Sequence, residues 1–297
     1  MCRVIFAIGV IVAIAATSVA QEELKSSINE DDVLNRIWSH WAERESKCAS
    51  IDIEYTTHAK LSSFDRRDTK RVTVSFDPKG RMYCKTITAT KGEGEGTYST
   101  EELILDEFGI NYFAINDTNK IASLFTRSTS LLRVSELTTT SQLFRPALSS
   151  SKDNYRLQPD VVVDGKPCNV VERTYDAAGD KVTITLFLLE ELDFLPIRRV
   201  VEFHNNGRVS IRSELTVSYE KIQNTHFAKA WTLRETAEPG GPNSSTRSTT
   251  AVRTNIKIGD ALPAERFSMK LDLGTKVEDH RKEPKFVETL QQPRIYE

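Results

Sequence analysis

The sequence predicts a mainly β protein with a few α-helices: one strongly curved antiparallel sheet, an open or half β-barrel, with the helices on its concave face. Three observations predict it. From residue 50 onward, apolar side chains recur at every second position. The apolar runs are joined by short turn-forming groups, among them Asp164-Gly165 and Asn205-Asn206-Gly207, which favour antiparallel neighbours. Strand and helix patterns never alternate in a sustained way, which argues against doubly wound and (β/α)8 architectures.

The first twenty residues are a separate object. Arg3 is their only charge, Val4 to Ala16 is apolar apart from Gly9, and Ser18-Val19-Ala20 reads as a small-x-small cleavage site before Gln21-Glu22-Glu23. This is the pattern of a secretory signal peptide. The rival, a retained anchor, is disfavoured because crossing a bilayer takes about 20 apolar residues. Residues 1–20 are therefore expected to be a leader, 21–277 the folded domain, and the charged, Pro-interrupted stretch 278–297 a loose tail. The mature chain is expected to be exported to a bacterial periplasm.

Residues 31–47 read as an amphipathic helix. Val33, Leu34, Ile37, Trp38 and Trp41 form one stripe, and Glu30, Asp31 and Asp32 suit the positive end of the helix dipole. Alternation then begins with Ile51, Ile53 and Tyr55, continues with Val72, Val74 and Phe76, turns at Asp77-Pro78-Lys79-Gly80 and resumes with Met82 and Cys84. Residues 102–106 and 110–115 form the next pair. Between Ile121 and Ser151 the alternation breaks, and Ser and Thr separate irregularly spaced Leu and Phe. One or two short helices ending near Pro146 are expected there. Strands return at 161–163, 168–175, 181–189, 196–203, 208–219, 227–238 and 246–258, with about ten strands in all. Residues 181–189 are apolar on both faces toward their end, which predicts a strand between two layers.

Composition narrows function. The 297 residues carry 40 basic and 42 acidic side chains, a net charge of −2, with no basic stripe to neutralise a phosphate backbone. Nucleic acid is excluded as a partner. Cys48, Cys84 and Cys168 follow the leader; their spacing gives no C-x-x-C, and the odd number allows at most one internal disulfide. They are expected to be small buried side chains. His40, His58, His204, His226 and His280 show no metal-ligand spacing, and no G-x-S-x-G nucleophile elbow is present. Adjacent acidic pairs such as Glu101-Glu102 point to opposite faces of a strand. No catalytic, cofactor or metal residue is therefore assigned, and the chain is not expected to be an enzyme.

A shape argument remains. A curved sheet roofed by helices leaves an apolar pocket where the roof is incomplete. The Ser/Thr-rich break after residue 121 supplies either ordinary core or a movable plug. Phe125, Leu131, Leu132, Val134, Leu137, Leu143 and Phe144 are its candidate lipid contacts.

The order of elements resembles the LolA/LolB/LppX-type superfamily, and more closely the LolA-like proteins of bacteria such as planctomycetes. The resemblance runs over residues 30–280. It is carried by Ile37, Trp38 and Trp41 leading into Ser50 to Tyr55, the helical break, Leu195-Pro196-Ile197-Arg198-Arg199, Ala230-Trp231, Asn255 to Ile258, and Leu273 to Val277. It implies an unclosed barrel covered by helices and non-covalent binding of a lipid, a lipoprotein acyl chain or another hydrophobic ligand. It also implies an alternative, an envelope sensor that binds a membrane-protein partner. No functional residue is carried over by motif.

Overall fold

The structure is a computed structural model. It describes residues 29–48, 50–61, 64–78, 81–91, 97–105, 110–115, 120–126, 135–144, 146, 152–177, 180–242, 244–259, 261–281 and 286–296. The expected leader lies outside the described residues.

The first helix, α1, spans Glu30–Ser46, within a residue of expectation at each end. Asn29 caps it, its side chain accepting from the Asp31 N–H at 3.2 Å, and three acidic residues occupy the first turn. A first meander follows: β1 (Ile51–Leu61), β2 (Phe64–Phe76), β3 (Met82–Lys91), β4 (Thr97–Leu105), β5 (Ile110–Ile115) and β6 (Ile121–Thr126). The second helix, α2, spans Ser135–Phe144. A second meander comprises β7 (Arg156–Val163), β8 (Lys166–Ala177), β9 (Asp180–Leu189), β10 (Leu195–Asn205), β11 (Arg208–Ile222), β12 (Thr225–Ala237) and β13 (Ser245–Ile258). The chain ends with β14 (Met269–Leu271), β15 (Lys276–Asp279), β16 (Phe286–Thr289) and β17 (Arg294–Tyr296).

The two meanders join side by side. β1 pairs antiparallel with β13, Ile51 opposite Ile258, and makes one fifteen-stranded sheet ordered β16-β15-β6-β5-β4-β3-β2-β1-β13-β12-β11-β10-β9-β8-β7. The two outermost strands, β16 and β7, do not pair with each other, so the sheet is open. Turns are built where the backbone needs them: Asn206 and Gly207 both adopt positive φ (50° and 74°) between β10 and β11.

Both helices lie on the same face. Cross-strand partners Leu186, Arg199 and Leu215 define that face through β9, β10 and β11. Helix α1 buries Ile37 and Trp41 with Val171, Leu188, Phe194 and Leu195 of the second meander. Helix α2 buries Leu143 and Phe144 with Tyr55, Leu215 and Trp231, across the seam between the meanders. The opposite face of the first meander is covered by the C-terminal segment: Tyr83, Ile104 and Leu124 pack against Phe267, Met269, Val277 and Leu290.

Three expectations need correction. Residues 121–126 are not helical but form β6, which pairs with β5, so Phe125 sits on a strand. Residues 278–297 are not a loose tail. Lys276–Asp279 pairs in parallel with β6, Phe286–Thr289 pairs with it in turn, and Arg294–Tyr296 pairs with β14. The end of β9 is buried on both faces as expected, Leu188 and Leu189 being 0% and 3% exposed. Strand number is also larger than expected, fifteen in the main sheet against about ten, because the short polar strands carry little alternation.

The covered edge gives a direct test. Leu290 is 2% exposed within the cluster under the first meander. Leu290→Ala is expected to lower stability by about 2–5 kcal/mol, as buried leucines do, read from urea unfolding; an unchanged midpoint would mean that the segment does not pack.

Candidate functional site

The site is the gap between the two helices and the sheet. Trp41 of α1 and Gln142, Leu143 and Pro146 at the end of α2 form its roof, and Ile184, Leu186, Arg199 and Leu215 form its floor, with Tyr155 and Pro196 at its sides. The residual cavity is only about 20 Å³, room for one water. The gap is closed in this state.

Each wall has a local cause. Trp41 is seated by its own indole N–H, which donates to the Phe194 carbonyl at 2.9 Å, and Trp38 lies tilted beside it with centroids 4.8 Å apart. Phe194 can present that carbonyl because Asp193 and Phe194 turn the chain through two successive left-handed residues, φ 58° and 57°. That conformation is disfavoured for a bulky side chain; here the ring is buried against α1, with the Arg36 guanidinium 5.0 Å from its centroid.

Helix α2 is held by two polar contacts. The Tyr55 hydroxyl and the Thr140 hydroxyl lie 2.9 Å apart, both buried. Arg44, 4% exposed at the end of α1, donates from Nη1 to the Phe144 carbonyl at 2.8 Å. The same guanidinium donates from Nε and Nη2 to the His226 carbonyl at 3.2 and 3.1 Å and lies 4.9 Å from the Phe227 ring centroid. Arg44 thus joins α1, the last turn of α2 and the start of β12. Burial pushes its pKa down, and the buried carbonyls and the ring replace lost water.

Of the expected lipid contacts, Leu143 and Phe144 are buried under α2, at 1% and 0% exposure, and Leu143 lines the gap. Leu137 lies on α2 and Phe125 on β6. Leu131, Leu132 and Val134 lie outside the described residues.

Sequence reasoning missed Trp41 as a wall of the gap, having weighed it mainly as core, and assigned no role there to Arg199 or Gln142. Among the described residues, three buried side-chain atoms lack a hydrogen-bond partner: Gln142 Oε1, Arg198 Nε and Arg199 Nε. Two of the three residues line this gap. The signal for Arg199 was its parity with Val201 and Phe203, which places it on the inward row.

A larger cleft of about 550 Å³ opens where β10 and β11 separate beyond their last pair, Arg198 opposite Thr216. Two ion pairs stand at its wall, Arg198 to Glu214 at 2.7 Å and Lys166 to Glu191 at 2.9 Å. None of the three cysteines forms a disulfide, and all are buried, as expected for small core side chains. Among the described residues no group of three or more His, Cys, Asp or Glu is placed to hold a metal ion, and no helix is long and apolar enough to cross a membrane.

No protein-family model matches the chain, and no curated protein matches it by sequence. Solved structures do. A DUF1329 family protein from Desulfovibrio piger superposes with a TM-score of 0.51 at 13% identity, covering 79% of this chain and 96% of its own. A putative outer membrane lipoprotein-sorting protein domain from Vibrio parahaemolyticus gives 0.47 at 15% identity, covering 77% and 95%. The Mycobacterium tuberculosis lipoprotein LppX gives 0.27 at 9% identity, covering 79% and 100%. The resemblance read from the sequence is borne out at the level of fold.

Arg44 is testable through its geometry. Arg44→Lys keeps the charge but cannot reach both carbonyls, so at least one is left buried and unpaired. A loss of about 1–3 kcal/mol is expected, with faster amide hydrogen exchange over residues 135–144; unchanged exchange there would show that Arg44 does not hold α2.

Proposed function

We propose that the chain is an exported protein that binds a hydrophobic ligand, a lipid or a lipoprotein acyl chain, without covalent chemistry, in the space now filled by α2. The observation that carries this reading is the closed apolar gap beneath the end of α2, with Leu143 above and Leu186 and Leu215 below. The helix over it is fixed by two side-chain contacts, Tyr55 to Thr140 and Arg44 to Phe144. A helix of ten residues has little stability of its own, so its position depends on those contacts and on two buried side chains.

Magnitudes support exchange between plug and ligand. Lifting α2 exposes Leu143 and Phe144 at about 1.5–3 kcal/mol each. It also breaks two hydrogen bonds at about 1 kcal/mol each. Opening therefore costs about 5–8 kcal/mol. An acyl chain returns about 0.8 kcal/mol for each methylene it buries, so about six to ten methylenes balance the helix. Shorter chains leave it in place; longer ones displace it, and the helix reclaims its seat on release. Localisation in the bacterial periplasm follows from the leader, whose removal is part of the proposal. This reading is preferred to partner binding because the gap is apolar and lies inside the fold.

All three tryptophans report on the space: Trp38 and Trp41 lie tilted against one another with centroids 4.8 Å apart, and Trp231 lies edge-on to Phe144 at 6.4 Å. Titration with saturated acyl chains is expected to change tryptophan emission with a threshold, weak at eight carbons and strong at sixteen. Native mass spectrometry should show the sixteen-carbon adduct. Folded protein that takes up neither would count against lipid carriage and turn attention to a protein partner.

A further inference from the structure

Two arginines are buried among the described residues, and they are opposites. Arg44 donates to two backbone carbonyls. Arg199, 8% exposed, makes no hydrogen bond with any described residue, and its Nε is fully enclosed without a partner. Its place in the sheet explains the enclosure. Arg199 lies opposite Leu186 on one side and Leu215 on the other, in the inward row, with Trp41 and Leu143 above.

An unmatched cation in such surroundings costs several kcal/mol, and an aliphatic side chain would fill the same position without that penalty. Burial pulls the Arg199 guanidinium down to about 10, with Tyr155 and Glu235 acting on it weakly in the opposite sense, so it is charged at neutral pH. One water in the 20 Å³ cavity can satisfy a hydrogen bond there, but it brings no countercharge. Gln142, the other unpartnered group, faces the same space from the movable helix.

We propose that the ligand of this gap is a single-chain lipid with an anionic head group, and that it lies head-inward with its paired oxygens on the Arg199 guanidinium. The proposal rests on the carrier reading above and specifies its cargo. A carboxylate and a phosphate monoester share the needed chemistry: two oxygens in a plane that match the forked N–H groups of arginine. The tail runs from Arg199 along Leu186 and Leu215, in the volume vacated by Leu143 and Phe144. Head-inward binding sets an anion directly on the guanidinium, where the empty protein offers only the weaker influence of Glu235, which makes no ion pair with it; a ligand without charge adds nothing to that.

The test compares hexadecanoate and hexadecyl phosphate with hexadecanol on the full mature chain, by tryptophan titration, for the wild type, Arg199→Met and Arg199→Gln. In the wild type at least one anion is expected to bind about ten- to hundred-fold more tightly than the alcohol, as hydrogen bonds to a charged group do; which anion leads identifies the head group. In either variant the preference is expected to collapse while hexadecanol binding persists. Arg199→Met without ligand is expected to melt at a higher temperature than the wild type, which also shows that the variant is folded. Equal binding of acid, phosphate and alcohol by the wild type would overturn the anionic head and leave the carrier reading standing. A preference that survives in both variants would overturn the role of Arg199. Uptake of none of the three by folded wild type would overturn the carrier reading and this proposal with it.

Discussion

Arg44 holds one planar cation against three separated parts of the chain: its own helix, the Phe144 carbonyl at the end of α2, and the His226 carbonyl at the start of β12. Everything on the inner face depends on that fork. Helix α1 would otherwise be fixed to the sheet by its apolar stripe alone, and α2 by two rings and a hydroxyl. A carbonyl at a helix end has no partner within the helix, so the last turn of α2 needs a donor from elsewhere if it is to be buried. Arginine is suited to supply it, because its donors point in several fixed directions at once.

The inner face therefore combines a satisfied cation and an unsatisfied one within the same roofed layer. Arg44 draws helices and sheet together. Arg199 is enclosed by that closure and gains nothing from it. A core built for stability alone would place a leucine or methionine at 199, between Leu186 and Leu215. Local inconsistency of this kind, a costly group retained where the rest of the packing is well matched, is where function is most often found. The surrounding cysteines and histidines show no such mismatch, and two ion pairs stand at the wall of the wider cleft.

The sequence made much of the architecture legible. Helix α1 was readable because Val33, Leu34, Ile37 and Trp41 form an unbroken stripe, and all four are buried. The hairpins of the second meander were readable because Asn-Gly and Asp-Gly dictate the turn before any tertiary contact forms. The short strands were not readable. Lys276–Asp279 contains three charges in four residues, and its strand character comes from a parallel partner, β6, more than a hundred and fifty positions earlier in the chain. Residues 121–126 were lost for the same reason, since only pairing on both sides makes that segment a strand. At the site, Leu143 and Phe144 were picked out as apolar residues in a polar break. Arg199 was named only within the Leu195 to Arg199 run that carries the resemblance, and nothing in that run marks it as inward. A bulge between Pro196 and Arg198 shifts the register there, and Val201 and Phe203 reveal the inward row only once strand partners are known.

The seam between β1 and β13 joins residues about 200 positions apart, as the bond from Thr254 to the Glu54 carbonyl shows. The helices are exchanged across it: α1, made first, roofs the second meander, and α2, lying between the meanders, roofs the seam. Neither half can cover its own apolar face. Synthesis from the N-terminus makes the first meander with its inner surface bare, and that surface stays bare until β13 is made. Long-range closure of this kind is slow, and the exposed strands invite wrong pairing while it is pending. The pairing of β1 with β13 thus also sets an order of assembly, in which the joined inner face forms only after the second meander has been made.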